Sequence, residues 1–368
     1  MSKQRILSEE VLKAFAFQPN ANYRPFGAGH INDTFLVESP EKTQILQRIN
    51  KSVFPSPENI MDNISSVTAF IAEKVLERGG NPDREVLQVI QTADGKLYHI
   101  DQSGDYWRCI KFIDNTEAYE TVTDSGMLAK AGYAFGDFQN LLTDFPAQNL
   151  HEIIRDFHNT PVRFAQLQQA ASENRAGRLH LVQKEMEFAG GREADCRYLT
   201  DLLASGKLPL KVTHNDTKMS NVLIDKDTSE AVCIIDLDTV MPGLAAYDFG
   251  DSIRAGATTA AEDETNLDNV RFSIPLYQAY TEGFLRAAGS SLTENEIHTL
   301  PMGAKLMTLE VGMRFLADYL NGDVYFKTAY ENHNLDRARN QFKLVTEMEK
   351  SMDEMLCIIK NTISGGAK

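Results

Sequence analysis

Residues 214–221 read His214-Asn215-Asp216-Thr217-Lys218-Met219-Ser220-Asn221. Two short β-rich runs follow, VLID at 222–225 and AVCII at 231–235, and then Asp236. The connection, residues 226–230, contains Asp227, Thr228 and Ser229. Runs joined this closely pair as an antiparallel hairpin, which sets the residue before the first strand beside the residue after the second. Asn221 and Asp236 are therefore neighbours, and no other stretch constrains the path of the chain so tightly. A carboxamide oxygen beside a carboxylate suits Mg²⁺ and leaves positions for phosphate oxygens and water. Asp216 lies on the loop that feeds the hairpin, placed to take a proton from an attacking hydroxyl, and Lys218 is placed to touch a transferring phosphate. A polar turn beside a buried hairpin, with His214 a satisfied core histidine, is the plainer account. Four residue types and the hairpin geometry agree on the chemical one.

A second signal is FGAGHINDT at residues 26–34, where Gly27 and Gly29 lie between two β-rich stretches. Glycines let backbone N–H groups come close to phosphate oxygens. Alone, such a GxG is a plain hairpin turn; ahead of strands and a helix, and upstream of residues 214–236, it reads as a phosphate-holding turn. No GxxxxGK[ST] occurs, which excludes a Walker loop.

Around these motifs the first third reads as strands, near 23–26, 34–38 and 44–49. An amphipathic helix follows over 58–78, with Ile60, Ile64, Val67, Ile71 and Val75 on one face. Gly79-Gly80-Asn81-Pro82 stops it. Three more strands are expected near 85–91, 96–101 and 106–113, with hairpin turns at 93–95 and 103–105. Beyond Asp114 the pattern is helical, at 117–132, 145–158, 162–173 and 192–204, and again at 270–288, 302–321 and 335–362. The reading is an α+β chain with a small antiparallel-sheet N-terminal lobe, residues 1–113, carrying one main helix, and a larger, mostly helical C-terminal lobe, residues 114–368.

The net charge of −15, from 37 basic and 52 acidic residues, argues against a nucleic-acid or anionic-membrane binder, both of which need a positive face. No run reaches the roughly 18 apolar residues of a membrane span, and the start, MSKQRILSEEVLKAF, has no apolar signal region. Cys109, Cys196, Cys233 and Cys357 are far apart, with no CxxC pair, as expected of a reducing compartment. A soluble cytoplasmic monomer is expected.

The chain resembles the aminoglycoside phosphotransferase and choline kinase group, which shares a two-lobed protein-kinase-like fold. The stretches that carry this are FGAGHINDTFLV (26–37), ILQRIN (45–50), HNDTKMSN (214–221), DLDTVMPGLAAYDFGDSIR (236–254) and EVGMRFLADYLNGDVYF (310–326). Within the group it looks most like the N-acetylhexosamine 1-kinases, the last stretch being the more specific one. The resemblance implies ATP as phosphoryl donor, Asp216 as catalytic base, and Asn221 with Asp236 as Mg²⁺ ligands. Arg314 becomes a sugar-binding residue, and Asp248 and Asp251 brace the catalytic loop. Protein kinases carry Lys on the third strand; here ILQRIN offers Arg48, whose guanidinium can bridge two phosphates beside Gly27 and Gly29. Its acidic helix partner is open between Glu58 and Glu73.

The expected activity is phosphorylation of the C1 hydroxyl of an N-acetylhexosamine. Rival acceptors are choline, homoserine, an aminoglycoside or another hexose, and a non-catalytic pseudokinase is the rival from another class. That class is marked by loss of Asp216, Asn221 or Asp236, all present here. Arg314 without the resemblance would be a surface residue pairing with Glu310 and Asp318 one helical turn away. His158 reads as a helix end, Trp107 as core, and residues 111–114 as the hinge where adenine would bond to backbone groups.

Overall fold

The computed structural model describes residues 7–27, 31–121 and 124–365. Its N-terminal part begins with helix α1 (Glu9–Ala14) and strands β1 (Asn22–Pro25), β2 (Asp33–Glu38) and β3 (Thr43–Arg48). Helices α2 (Pro57–Glu77) and α3 (Pro82–Glu85) follow, then strands β4 (Val89–Ile90), β5 (His99–Ile100) and β6 (Tyr106–Lys111). The strands form one antiparallel sheet in the order β1-β2-β3-β6-β4, with β5 also on β6. One face carries Phe35, Val37, Leu46, Trp107 and Cys109 and is covered by Leu7, Val11, Leu12 and Phe15. On the other, Tyr106 and Ile110 meet Ile60, Ile64, Val67 and Ile71 of α2, in a cluster that runs on through Val212, Leu237 and Val240. The apolar core therefore continues from the sheet into the helical part.

The helical part opens with strand β7 (Thr116–Glu117) and helices α4 (Ser125–Leu141), α5 (Thr160–Glu173), α6 (Gln183–Gly190), α7 (Glu193–Cys196) and α8 (Tyr198–Ala204). Strands β8 (Lys211–Thr213), β9 (Val222–Asp225), β10 (Ala231–Ile234) and β11 (Met241–Gly243) come next. Helices α9 (Ala245–Gly256), α10 (Ile274–Ala288), α11 (Glu294–Asn321), α12 (His333–Lys350) and α13 (Met352–Gly365) complete it. The fold is α+β, with an antiparallel-sheet N-terminal region and a helical C-terminal part, as in the kinase-like fold. Among the described residues no helix is long and apolar enough to cross a membrane. The four cysteines are free, three of them buried.

Several elements depart from the sequence expectation for local reasons. The 93–95 hairpin is absent, because β4 and β5 lie end to end on β6, at Ile110 and Cys109 and at Trp107 and Tyr106. Thr92 closes its own turn onto the Lys96 carbonyl at 2.8 Å, and the Ala93 N–H goes to the Ala14 carbonyl. The start of the 85–91 strand is instead the end of α3, capped by Asn81 and opened by Pro82. The helix expected over 145–158 is only a turn at Ala147–Asn149, because both backbone groups of His151 are taken by the Asn63 side chain of α2, at 2.9 and 2.8 Å. The 117–132 helix begins at Ser125, capped by Asp124, and the 192–204 helix is broken into α7 and α8. Helix α10 begins at Ile274 under the Ser273 cap, and α12 and α13 part at Ser351. Helix α11 starts at Glu294 under a Thr293–Glu296 capping box and runs through Pro301, ahead of the helix expected over 302–321.

Helices α4 and α10 cross on glycines. A Cβ on Gly283 would lie 2.0 Å from the Ala129 carbonyl oxygen, and one on Gly132 2.3 Å from that of Tyr280. Overpacking against backbone typically costs about 1–3 kcal/mol, so Gly283→Ala should lower the melting temperature by several degrees. A thermal melt unchanged from wild type would mean the helices part freely.

Candidate active site

The hairpin argument holds in detail. β9 and β10 pair antiparallel, Val222 opposite Ile234, and the Ile235 N–H donates to the Asn221 carbonyl at 2.9 Å. Asn221 and Asp236 therefore leave the same end of the ladder. Asp236 has φ 61 and Asn215 φ 64, left-handed conformations that Asp and Asn accept more readily than most residues. The two reversals turn residues 214–221 and 236–239 toward each other. Thr239 Oγ1 donates to the His214 carbonyl at 2.7 Å, and Asn215 Nδ2 to that of Thr239 at 2.9 Å.

Helix α9, which the sequence reading missed, supports this loop from below. Asp248 accepts the backbone N–H groups of His214 and Asn215 at 2.9 and 2.8 Å, and Asp251 that of Thr217 at 3.1 Å. Burial pushes the Asp248 carboxyl up. Burial does the same to Asp251, but Arg254 and His158 outweigh it and hold that carboxyl below its ordinary value. His214 is fully buried, edge-on to Phe135 and Phe138. Its Nδ1 accepts from the Asp216 N–H at 3.3 Å, so Nε2 carries the proton and donates to the Ile235 carbonyl at 2.9 Å.

Asp216 is partly open, its side chain 35% exposed. Lys218 Nζ and Asn221 Nδ2 both donate to its Oδ2, at 2.9 and 3.1 Å. Among the described residues Oδ1 takes no hydrogen bond. Burial works against the Lys218 ammonium, but Asp216, and behind it Asp236 and Asp251, outweigh it and raise its pKa. Asn221 spends its amide on Asp216, and its oxygen has no partner among the described residues. The Asp236 carboxylate has no hydrogen-bond or ion-pair partner among the described residues. Burial, then Asp238 and Asp216, push it up to about 6 against the pull of Lys218 and Arg108. A half-buried carboxylate crowded by its own sign, beside an amide oxygen with no partner among the described residues, fits a divalent cation. Among the described residues no three His, Cys, Asp or Glu side chains gather as a metal site. Mg²⁺ does not need them, since it keeps waters and takes ligands from substrate phosphates.

The sheet side of the cleft differs from expectation. Gly27, at φ 75, makes the left-handed turn between β1 and β2 that the Phe26 N–H closes on the Thr34 carbonyl; Gly29 lies outside the described residues. Arg48 does not face the cleft. Its register partners Asp33 and Trp107 share its face, and it is ion-paired to Asp33 and, at 2.7 Å, to Asp105. Neither Glu58 nor Glu73 is its partner; Glu58 takes the Tyr106 hydroxyl. Side chains alternate along a strand, so the neighbouring Gln47 points to the helix side instead. Gln47 Oε1 accepts from Arg108 Nε at 2.9 Å, and Arg108 forms a buried ion pair with Asp238. Asp238 also accepts from Asn32 Nδ2 at 2.6 Å.

Arg314 stands in α11 away from both of its suspected surface partners. Glu310 is buried and takes His158 Nδ1 at 2.9 Å and Thr160 Oγ1 at 3.0 Å. Asp318 accepts the N–H groups of Val324, Tyr325 and Phe326, at 3.0, 2.9 and 2.9 Å. Among the described residues the Arg314 guanidinium has no ion pair and no hydrogen bond; it lies over the rings of Phe157 and Phe326, at 5.3 and 5.6 Å. Those three residues line a cavity of about 430 Å³ with Arg163, Tyr325 and Val53. Burial, and then the Arg314 charge, hold Arg163 below its ordinary value. The cavity is tied to the catalytic loop through His158, whose Nε2 lies 3.4 Å from the Asn215 carbonyl. In the sequence His158 reads as a helix end, since its partner Glu310 is 152 residues away.

A model of the phosphotransferase enzyme family matches residues 22–283. A microcompartment-associated aminopropanol kinase superposes with a TM-score of 0.60 at 15% identity, over 95% of this chain and 97% of that one. An aminoglycoside phosphotransferase from Alicyclobacillus acidocaldarius gives 0.61 at 12% identity, over 99% and 98%. A choline kinase from Cryptosporidium parvum gives 0.54 at 13%, over 93% and 92%. At such identities the likeness is one of fold.

Proposed function

The chain belongs to the phosphotransferase enzyme family and is a small-molecule kinase, and from that premise we propose that it transfers the γ-phosphoryl group of ATP to the C1 hydroxyl of an N-acetylhexosamine. With this reading goes a division into a nucleotide-binding lobe, residues 1–113, and a catalytic lobe, residues 114–368. The observation that carries the choice of acceptor is the Arg314 guanidinium between Phe157 and Phe326, without an ion pair among the described residues and with Arg163 close by. Two guanidinium groups repel the ammonium of choline or of an amino sugar antibiotic. They suit fixed oxygen acceptors such as hydroxyls and an acetamide carbonyl, and the rings suit the face of a pyranose.

In the proposed reaction Asp216 Oδ1 accepts the proton of the C1 hydroxyl as the new O–P bond forms, the bond from Pγ to the bridging oxygen breaks, and ADP leaves. A hydroxyl on an anomeric carbon is more acidic than an ordinary alcohol, so a carboxylate is an adequate base. Lys218 keeps Oδ2 occupied and offsets charge on the moving phosphoryl group. Gly27 brings backbone N–H groups to the triphosphate. Asn221 and Asp236 would hold Mg²⁺, which supplies charge neutralisation on the phosphate oxygens.

The test is coupled ADP release over N-acetylglucosamine, N-acetylgalactosamine, glucose, homoserine, choline, ethanolamine and kanamycin. Turnover with either N-acetylhexosamine well above the amines is the expected result; preferential use of an amine sinks the sugar reading and leaves the kinase. A hydrogen bond to a charged group is worth about 1.5–3 kcal/mol. Arg314→Ala should therefore lower kcat/KM for the sugar roughly ten- to a hundredfold, with KM for ATP nearly unchanged. Unaltered sugar kinetics would remove Arg314 from the acceptor site.

A further inference from the structure

We infer that Arg108 is the positioning residue that sets the Asp236 turn against the glycine turn. The inference rests on the kinase reading above. Arg108 stands on β6 opposite Gln47, in the row Thr34–Gln47–Arg108 that crosses the helix-side face of the sheet. That row is tied together: Gln47 Nε2 donates to Thr34 Oγ1 at 3.1 Å, and Arg108 Nε to Gln47 Oε1 at 2.9 Å. The arginine side chain is 1% exposed and its ion-pair partner Asp238 5%.

Asp238 is where three parts of the cleft meet. It lies two residues after Asp236, in the turn Leu237–Thr239 whose last residue is bonded to the catalytic loop. Its second oxygen takes the amide of Asn32. Asn32 in turn accepts the Asn50 N–H at 3.0 Å, which joins the strand after the glycine turn to the end of β3. A carboxylate buried among these groups needs a matched cation, and Arg108 is that cation. Its planar fork reaches Gln47 and Asp238 at once, which a lysine cannot do with fixed geometry. The turn carrying Asp236 is thereby held to the sheet by a side chain that touches neither nucleotide nor acceptor.

The experiment is calorimetric titration of ADP with and without Mg²⁺, reading the gain in affinity that the metal gives, alongside a thermal melt. Loss of an outer partner of a metal site typically costs 10–100-fold in affinity, so Arg108→Gln should cut the metal-dependent gain about tenfold or more and leave metal-free ADP binding unchanged within about threefold. Arg108→Lys, which keeps a charge opposite Asp238, should fold and fall between the two. Equal loss of metal-free and metal-dependent binding would reduce Arg108 to a packing residue and overturn the inference. So would an undiminished gain in Arg108→Gln or, should that variant show no cooperative melt, in Arg108→Lys. A tenfold loss in Arg48→Gln with none in Arg108→Gln would overturn the inference and give the role to Arg48. Wild-type protein that bound ADP no better with Mg²⁺ than without would overturn the kinase mechanism itself, and the inference with it.

Discussion

Replacing Asp216 by Asn should lower kcat by about 10²–10⁴-fold, the usual worth of a positioned general base, while KM for ATP stays close to wild type. The substitution keeps the shape and puts an amide where the base had a free oxygen. Lys218 and Asn221 both bond to Oδ2, so an asparagine with its carbonyl on that side retains those two contacts. The fold should survive, and steady-state kinetics beside a thermal melt separate chemistry from stability. A variant with near wild-type kcat would move the base elsewhere and reopen the pseudokinase reading of this loop.

Asp236→Asn should abolish transfer and at the same time raise the melting temperature of metal-free protein at pH 7.5. The carboxyl is pushed from an ordinary 3.8 to about 6 by burial and by Asp238 and Asp216. Between those values the native state holds a proton that the unfolded chain has lost. The stability this group contributes is therefore complete below pH 3.8 and is lost as pH rises through about 6. The cost above that window is about 3 kcal/mol. Asparagine does not ionise, and it tolerates the left-handed backbone that alanine would strain. The gain should fade as the pH is lowered to 4. A melt at pH 7.5 no higher than wild type would show that the carboxylate is not strained by its surroundings. Retained activity would show that the hairpin does not hold the metal.

The catalytic loop was legible because its geometry is local: a hairpin of two four-residue strands leaves its flanking residues little choice. Arg48 was misread for the opposite reason. A strand repeats every two residues, and a sequence that offers Gln47-Arg48 does not say which of them faces the cleft. The choice is made by α1, whose apolar residues cover the Leu46 face. Helix α9 was missed because residues 245–253 are all buried, Asp248, Asp251 and Ser252 among them, so its polar residues mark contacts to the loop and not a face turned to water. Its Gly250 is needed for close approach: a Cβ there would lie 2.4 Å from the Gly303 carbonyl oxygen. The 145–158 segment has helical apolar spacing, but its backbone groups are claimed by Asn63, which no local pattern can announce.

The segment after α11 is organised around Asp318. Three successive backbone N–H groups end on that carboxylate, Asn334 bonds to it at 2.9 Å, and Gly322 and Asp323 take left-handed turns. Nothing in that arrangement asks for a particular side chain at 324 or 325, where Val324 and Tyr325 are 78% and 61% exposed. The rim of the cavity proposed for the acceptor thus takes its path from backbone contacts to Asp318 and not from the side chains it displays. A substitution at Val324 changes what meets an incoming molecule; Tyr325 packs edge-on against Phe326, one of the two rings under Arg314, so a change there reaches the guanidinium as well. Under the proposed function, retargeting this kinase to a new acceptor is a problem for this rim, and Val324 is the place to begin.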